Sequence, residues 1–542
     1  MNLIPLNLLS AVAMAALITT GSTLHAAESG KKLLVYVLAG QSNMQGHAEV
    51  STLAYLPKPA YVPTKEEWIS LTGWLERDIR VKMEPLIKEN LMKDPANAKL
   101  PKNEFGVLVQ NALKEETDRV RNERYEEFKK RQTDPTRVAR DKELAAIFSP
   151  GLTDQKVLDT VAAAKGLKGS LELANLWVEK TGIPVGKRTY IAAYGGVNRG
   201  AEAGVASGPL ATGYGARPTA FGPEYAFGIM LEKTLDQPIL IIKTSWGGKS
   251  LHYDFRPPSA GPYQSTANEK EQMERWKVSK AAWDKYLAEG GTPAAMAQIE
   301  KDWKAIETEK RDFQTSLGKL PKEEQAAAQQ KLATMNQKSK ELQKSLIRNP
   351  GEMPSRDAAG FYWKEMTGFI NKVLADPKAY HPEYDPKAGY EVAGGVWFQG
   401  FNDQFDPEYY GNYAGNMVHY IQDLRKEVKQ PNMPFVIGVL GTPAFREEAL
   451  TNHVANGQRE SVKNPALTHV TAIESWPLTT PEVALWKMKR DITPKTNAAE
   501  YEKAEQQWIL HGSNLGYHYD GSGRFFIRLG DEFANAMLKL KK

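Results

Sequence analysis

Apolar and polar positions alternate between two modes along this chain. Short continuous apolar runs read as strands buried on both faces, and longer stretches with apolar residues three or four apart read as helices. The first run is Leu33-Leu34-Val35-Tyr36-Val37-Leu38-Ala39, stopping at Gly40-Gln41-Ser42-Asn43-Met44. Comparable runs follow at Arg188–Tyr194, Pro238–Thr244, Tyr390–Phe398, Pro434–Gly441 and Val470–Ile473. Helical spacing is read between them at 103–182, from Phe221 to Leu235, at 357–375, from Tyr409 to Val428 and from Arg524 to Leu538. Strands separated by helices predict an α/β fold with a parallel sheet covered on both faces.

Two stretches stand apart. Residues 103–182 are helical and densely charged, with Glu115 through Arg124 offering many intrahelical pairs; this reads as a helical insertion or covering layer. In 266–350, Met296, Ile299, Trp303, Ile306, Phe313 and Leu317 form one stripe. Gly318-Lys319-Leu320-Pro321 breaks it, and Ala328, Leu332, Met335, Leu342 and Leu346 form a second. The pattern predicts a helical hairpin with a coiled-coil-like seam, inserted into the α/β body and a candidate surface for oligomer formation.

Composition changes the picture at three points. Lys plus Arg (70) nearly balances Asp plus Glu (65), and no dense basic block occurs, so the balance is not that of a nucleic-acid-binding protein. Cysteine is absent, which removes disulfides, thiol nucleophiles and Cys-based metal sites. Residues 1–27 hold a short apolar stretch, Leu8 to Ile18, with a small-residue end at Ala26-Ala27; this has the form of a secretory signal peptide, although its start lacks Lys and Arg. The expectation is a secreted or periplasmic bacterial protein, with residues 28–542 as its mature domain and no membrane span after signal removal.

Parallel sheets carry chemistry just past the carboxyl ends of their strands. Four such features stand out: Ser42, Gly247-Gly248, Asn402 and His518. Acyl transfer to water needs a nucleophile, a base to take its proton, and donors for the oxyanion. Ser42 suits the first role and His518, on a glycine-flanked loop, the second. The N–H groups of Ser42 and Gly248 and the Asn402 amide suit the third. No metal-ligand spacing is found, and no cofactor is implied.

Gly40-Gln41-Ser42-Asn43-Met44, Gly247-Gly248, Gly400-Phe401-Asn402-Asp403 and the C-terminal His518, in this order, resemble the four blocks of the SGNH hydrolases. The sialate O-acetylesterase-like branch, related to carbohydrate esterase family 6, is the nearest match, and Trp397-Phe398-Gln399-Gly400 resembles its Trp-x-Gln-Gly run. The resemblance implies a three-layer α/β/α flavodoxin-like fold, a metal-free serine esterase, and acetylated carbohydrate as substrate, of the sialate or acetylxylan type. One departure matters. The family's orienting Asp three residues before the histidine is here Leu515. A Ser–His dyad, an acid from elsewhere (Asp403, Asp406 or Asp520), or an altered activity each accommodate it. A catalytically silent carbohydrate-binding protein that keeps the fold is the alternative. Gln41 and Gln399 are further candidates for lining the site, as are His47, His252 and the aromatic residues Trp246, Trp397, Phe401, Tyr409 and Tyr410. Arg199 and Arg256 are candidates to pair with a sugar carboxylate.

Overall fold

The computed structural model describes residues 30–541 except 74, 166, 168–169, 197–203, 318–320, 354–356 and 443–451. The signal segment read at 1–27 and Arg199 lie outside the described residues. The chain divides into two compact units, Met1–Pro262 with Ala359–Lys542, and Tyr263–Ala358.

The first unit is built on a seven-stranded sheet: β1 (Leu33–Gly40), β2 (Thr189–Gly196), β3 (Val205–Pro209), β4 (Ile239–Trp246), β5 (Tyr390–Phe398), β6 (Phe435–Val439) and β7 (Val470–Glu474). Their spatial order is β3-β2-β4-β1-β5-β6-β7. Every pairing is parallel except that of β3, which runs antiparallel to β2 at one edge. This is a mixed α/β architecture with a mostly parallel central sheet. The glycine-rich stretch after Tyr194, whose composition reads as loop, thus contains an edge strand.

All eight residues of β1 are buried. Leu34, Tyr36 and Leu38 pack into one core with helices Pro135–Phe148, Pro223–Thr234 and Gly523–Leu540. Leu33, Val35, Val37 and Ala39 pack into a second core with Phe361–Ala375 and Tyr413–Glu427. Successive side chains of a strand point to opposite faces, so a continuous apolar run is what a sheet covered on both sides requires. Each such side chain contributes about 1.5–3 kcal/mol on burial. The last helix shows the complementary pattern, with Phe526, Leu529, Phe533 and Met537 at a spacing of three or four on its buried face.

Gly40 ends β1 where nothing larger fits. A Cβ there would lie 2.2 Å from the Phe398 carbonyl oxygen and 2.8 Å from Met44 Cβ. The chain then turns into the short helix Ser42–Gln45. Below that turn lies a buried ion pair. Lys243 on β4 and Glu224, in the first turn of Pro223–Thr234, are 1% and 0% exposed and stand 2.8 Å apart. Lys243 Nζ also donates to the carbonyls of Gln45 (2.8 Å) and Tyr214 (2.9 Å). Burial pushes the lysine pKa down and the carboxyl pKa up, and the opposite charge pulls each back.

The second unit contains helices Ala267–Ala288, Pro293–Leu317 and Lys322–Ser345. Thr266 caps the first, its Oγ1 accepting from the Glu269 N–H while the Glu269 carboxylate accepts from the Thr266 N–H. Trp283, Ala328 and Met335 are buried, Ser339 donates to Glu307, and the Arg348 guanidinium lies 5.4 Å from the Trp303 ring. Among the described residues no helix is long and apolar enough to cross a membrane.

Candidate active site

β1 lies between β4 and β5, and Gly40 is paired with Ser245 on one side and Phe398 on the other. The turns that follow these three strands therefore meet at the carboxyl edge of the sheet. The chain leaves β1 at a point where later connections go to both sides, the position at which open parallel sheets form a crevice. Ser42, Gly248 and Asn402 stand on these three turns.

Ser42 opens the short helix and is buried, and its Oγ makes no hydrogen bond to any described residue. Gly248 has φ +72° with nothing within 4 Å of where a Cβ would be, so backbone conformation rather than crowding calls for glycine. Asn402 is half-buried in the 3-10 turn Phe401–Phe405.

The neighbouring polar residues hold these turns together. Gln41 Oε1 accepts from the Gly400 N–H at 3.4 Å. Gln399 donates to the Lys249 carbonyl at 2.9 Å and to Asp403, and accepts from the Tyr413 hydroxyl at 2.9 Å. Asp403, fully buried, accepts from the N–H groups of Leu251 (2.9 Å) and His252 (3.0 Å). It thereby clamps the Asn402 turn to the segment just after Gly248. Burial lifts its pKa to about 7, against the pull of the Gln399 amide and the two backbone donors. Asp403 has no hydrogen bond to His518, and Asp406 instead caps Pro407–Gly411 through the Glu408 N–H.

The fourth block comes from the loop before the last helix. His518 lies in the turn Gly516–Gly521, where Tyr519 and Asp520 both adopt left-handed backbone (φ 52° and 56°). Such a pair of non-glycine residues needs firm support. Tyr519 supplies it: its ring stacks on Phe525 at 3.8 Å, and its hydroxyl accepts from the Gly441 N–H and bonds Ser475 Oγ, both at 2.9 Å. The Asp520 carbonyl accepts from the N–H groups of Ser513 and Asn514. Its buried carboxyl is pushed up to about 6 and does not bond His518. The loop is tied to the Ser42 turn by Asn43, whose Nδ2 donates to the Tyr517 carbonyl at 3.2 Å.

The group that holds His518 is Asn514. Its Oδ1 lies 2.9 Å from His518 Nδ1, and its Nδ2 lies 3.3 Å from His47 Nδ1. The two imidazoles stack with centroids 3.8 Å apart and planes 6° from parallel. An amide oxygen only accepts, so His518 carries its proton on Nδ1 and keeps the Nε2 lone pair. An amide nitrogen only donates, so His47 carries its proton on Nε2. Burial, then the Arg217 charge, lowers the His518 pKa to about 4. Burial, His518, Arg217 and Lys243 lower that of His47 to about 3. Both rings are neutral at neutral pH. No hydrogen bond joins Ser42 Oγ to His518.

Asn514 stands four residues before the histidine, one position off the family's spacing of three, so the family pattern does not point to it. The one signal the sequence carries is an Asn within a tight polar-glycine loop. Other candidates fall elsewhere. Trp246 and Trp397 are buried in the second core. His252 bonds the Asn416 amide at 3.1 Å and stacks on Tyr409. Arg256 donates to the carbonyls of Gly261, His252 and Ala260.

Residues 362–483 match the family model described as carbohydrate esterase, sialic acid-specific acetylesterase. The chain is similar to the sialate O-acetylesterase-like SGNH hydrolases. The matched segment contains the third block of this family, Gln399 through Asp403, and the resemblance read from the sequence is borne out. No curated protein matches the chain. A solved Arabidopsis thaliana protein is 11% identical with a TM-score of 0.25, over 66% of this chain and 82% of its own. A carbohydrate acetylesterase from Xanthomonas citri is 12% identical with a TM-score of 0.25, over 54% of this chain and 44% of its own.

Proposed function

We propose that the chain is an exported serine esterase that removes O-acetyl groups from carbohydrates through an acyl-enzyme. Ser42 is the nucleophile and His518 the general base. The N–H groups of Ser42 and Gly248 and the Asn402 amide receive the oxyanion. His518 Nε2 takes the Ser42 hydroxyl proton as Oγ attacks the acetyl carbonyl, then returns it to the departing sugar oxygen. Water, deprotonated by the same imidazole, attacks the acetyl-serine, and the imidazolium returns that proton to Ser42 Oγ as the ester bond breaks and acetate leaves. The observation that carries this reading is the Asn514–His518 hydrogen bond, which leaves Nε2 unprotonated on a loop tied to the Ser42 turn. A neutral amide replaces the usual carboxylate, so it sets the tautomer without stabilising the imidazolium.

The fold is read in the same terms. Strands β1, β4, β5, β6 and β7, taken in chain order, lie in the flavodoxin-like order 2-1-3-4-5, with β2 and β3 added at one edge. Residues 28–542 are one esterase domain, interrupted by helices at 103–182 and a coiled-coil-like hairpin at 266–350, with 1–27 directing export.

The test is Ser42→Ala on an activated acetyl ester and on acetylated glycans scored by acetate release. Loss of turnover on both supports the assignment, and unchanged turnover sinks it. A silent carbohydrate-binding protein is the second reading, favoured by the missing carboxylate at His518. A fluorophosphonate probe separates the two, because covalent labelling at Ser42 demands an activated serine.

A further inference from the structure

Most large apolar side chains exposed on this protein are scattered, which is ordinary. Three are not. Phe405 (67% exposed), Leu515 (46%) and Tyr517 (41%) stand on the two turns that carry Asn402 and His518. Phe405 and Tyr517 belong to a continuous series of ring contacts running inward from solvent. Phe405 meets Phe401 at 5.3 Å, Phe401 meets Tyr517 at 5.6 Å, and Tyr517 meets the His518 imidazole at 4.4 Å. None of the three contacts is face to face, the planes crossing at 78°, 39° and 71°. Ring surface is thus left open at each step.

Polar groups are interleaved with the rings. The Tyr517 hydroxyl has no hydrogen-bond partner among the described residues, and Asn402 lies next to Phe401 in the chain. The backbone beneath is fixed: the Tyr517 carbonyl is held by Asn43, and Asp403 anchors the Phe401–Phe405 turn. This is a rigid apolar wall with hydrogen-bonding groups along it, ending at the catalytic imidazole. A pyranose offers the matching surface, an apolar C–H face bordered by hydroxyls. A plain acyl chain would leave the polar groups unanswered.

We propose that Phe401, Phe405 and Tyr517 form a carbohydrate subsite that stacks a pyranose ring of the substrate outside the scissile acetyl group. The proposal rests on the esterase reading and deepens it. It makes the enzyme a reader of the sugar as well as of the ester. A ring stacked on Tyr517 delivers its acetylated hydroxyl toward Ser42, and a ring on Phe405 belongs to the next residue of an oligosaccharide.

The experiment measures binding without turnover. Full-length protein carrying Ser42→Ala is titrated calorimetrically with acetylated xylotetraose and with O-acetylated N-acetylneuraminic acid. Adding Phe405→Ala weakens the tetrasaccharide about five- to tenfold, and Phe405→Trp restores it. Adding Tyr517→Ala weakens both sugars by a similar factor. With Ser42 intact, the loss of kcat/KM on the acetylated glycan exceeds the loss on 4-nitrophenyl acetate at least fivefold for either variant. Kd values within twofold of the parent for both variants overturn the proposal. So does concentration-dependent dimerisation, by sedimentation, that Phe405→Ala abolishes while sugar binding persists, since the patch would then serve a second copy. Failure of the esterase reading looks different, because Ser42→Ala would retain turnover whatever the titrations gave.

Discussion

Replacing Asn514 by Asp places a carboxylate where His518 Nδ1 now meets an amide oxygen at 2.9 Å. The His518 pKa stands at about 4 because the ring is buried and faces the Arg217 charge with no anion opposite. A carboxylate at hydrogen-bond distance raises a neighbouring histidine by about 1–3 units, which corresponds to roughly 1.4–4 kcal/mol in favour of the imidazolium. In the proposed mechanism the imidazolium is what forms as Ser42 attacks. If the proton is half transferred in the transition state, half of that energy appears in the rate, or about 3- to 30-fold in kcat/KM above neutral pH. The base works only when neutral, so activity falls as pH drops through the His518 pKa. The wild-type acid limb therefore lies near pH 4, and that of Asn514→Asp about 1–3 units higher. The variant gains at pH 8 and loses at pH 4.5. His47 follows by moving its proton to Nδ1 and donating to the same carboxylate. The assay is kcat/KM on an activated acetyl ester between pH 3.5 and 9, alongside NMR titration of the imidazole C–H signals. An acid limb that stays in place, or a rate reduced at every pH with the fold intact, would refute the role given to Asn514.

Asp403→Ala leaves the Leu251 and His252 N–H groups without their acceptor and removes one of the two acceptors of the Gln399 amide; it lowers stability by about 2–5 kcal/mol in urea unfolding and reduces kcat more than it raises KM. Lys243→Met strands the Glu224 carboxylate in the core and costs about 3–5 kcal/mol, and the double variant with Glu224→Leu recovers most of it; a double variant no more stable than the single one contradicts the pairing. Buried His511 has its pKa lowered to about 4, so the unfolded chain binds its proton first, and the folded state loses stability as pH falls from 6.5 toward 4. Between pH 7.5 and 5.0 His511→Gln removes up to about 2 kcal/mol of that loss, read as a smaller shift in the urea midpoint.

The parallel strands were legible because burial on both faces leaves a local mark. Leu33–Gly40 and Ile239–Trp246 are apolar at nearly every position, and one sheet with two cores is the structure such runs can form. Where the mark is diluted, the reading failed. Val205–Pro209 is an exposed edge strand that pairs on one side only, and its Val-Ala-Ser-Gly-Pro sequence carries no apolar run. Leu75–Met92 stays helical through Pro85, a residue that normally ends a helix. The helices Pro481–Ile492 and Ala498–His511 carry a weak mark for a related reason: the second interrupts its apolar positions with Glu, Lys and Gln.

The candidate site follows the same logic at finer scale. Ser42, Gly248 and Asn402 stand at abrupt ends of buried strands, which a single sequence displays. What links them is not displayed, because Asp403 bonds the backbone N–H groups of Leu251 and His252, about 150 residues away, and any sequence supplies backbone donors. An acidic residue inside a recognised block invited a chemical role, whereas its burial and its three donors make it a clamp. Asn514 is the reverse case. An Asn in a loop is ordinary in sequence and becomes distinctive only when folding sets its two amide ends against two stacked imidazoles. A carboxylate in that place would fix the same Nδ1–H tautomer on His518 but would also offer His47 an acceptor. The amide fixes opposite tautomers in the two rings and adds no charge beside His518, whose pKa burial and Arg217 already lower to about 4. On the proposed mechanism this arrangement keeps the base neutral in acid, at the expense of its strength, and ties the pH range of turnover to one side chain.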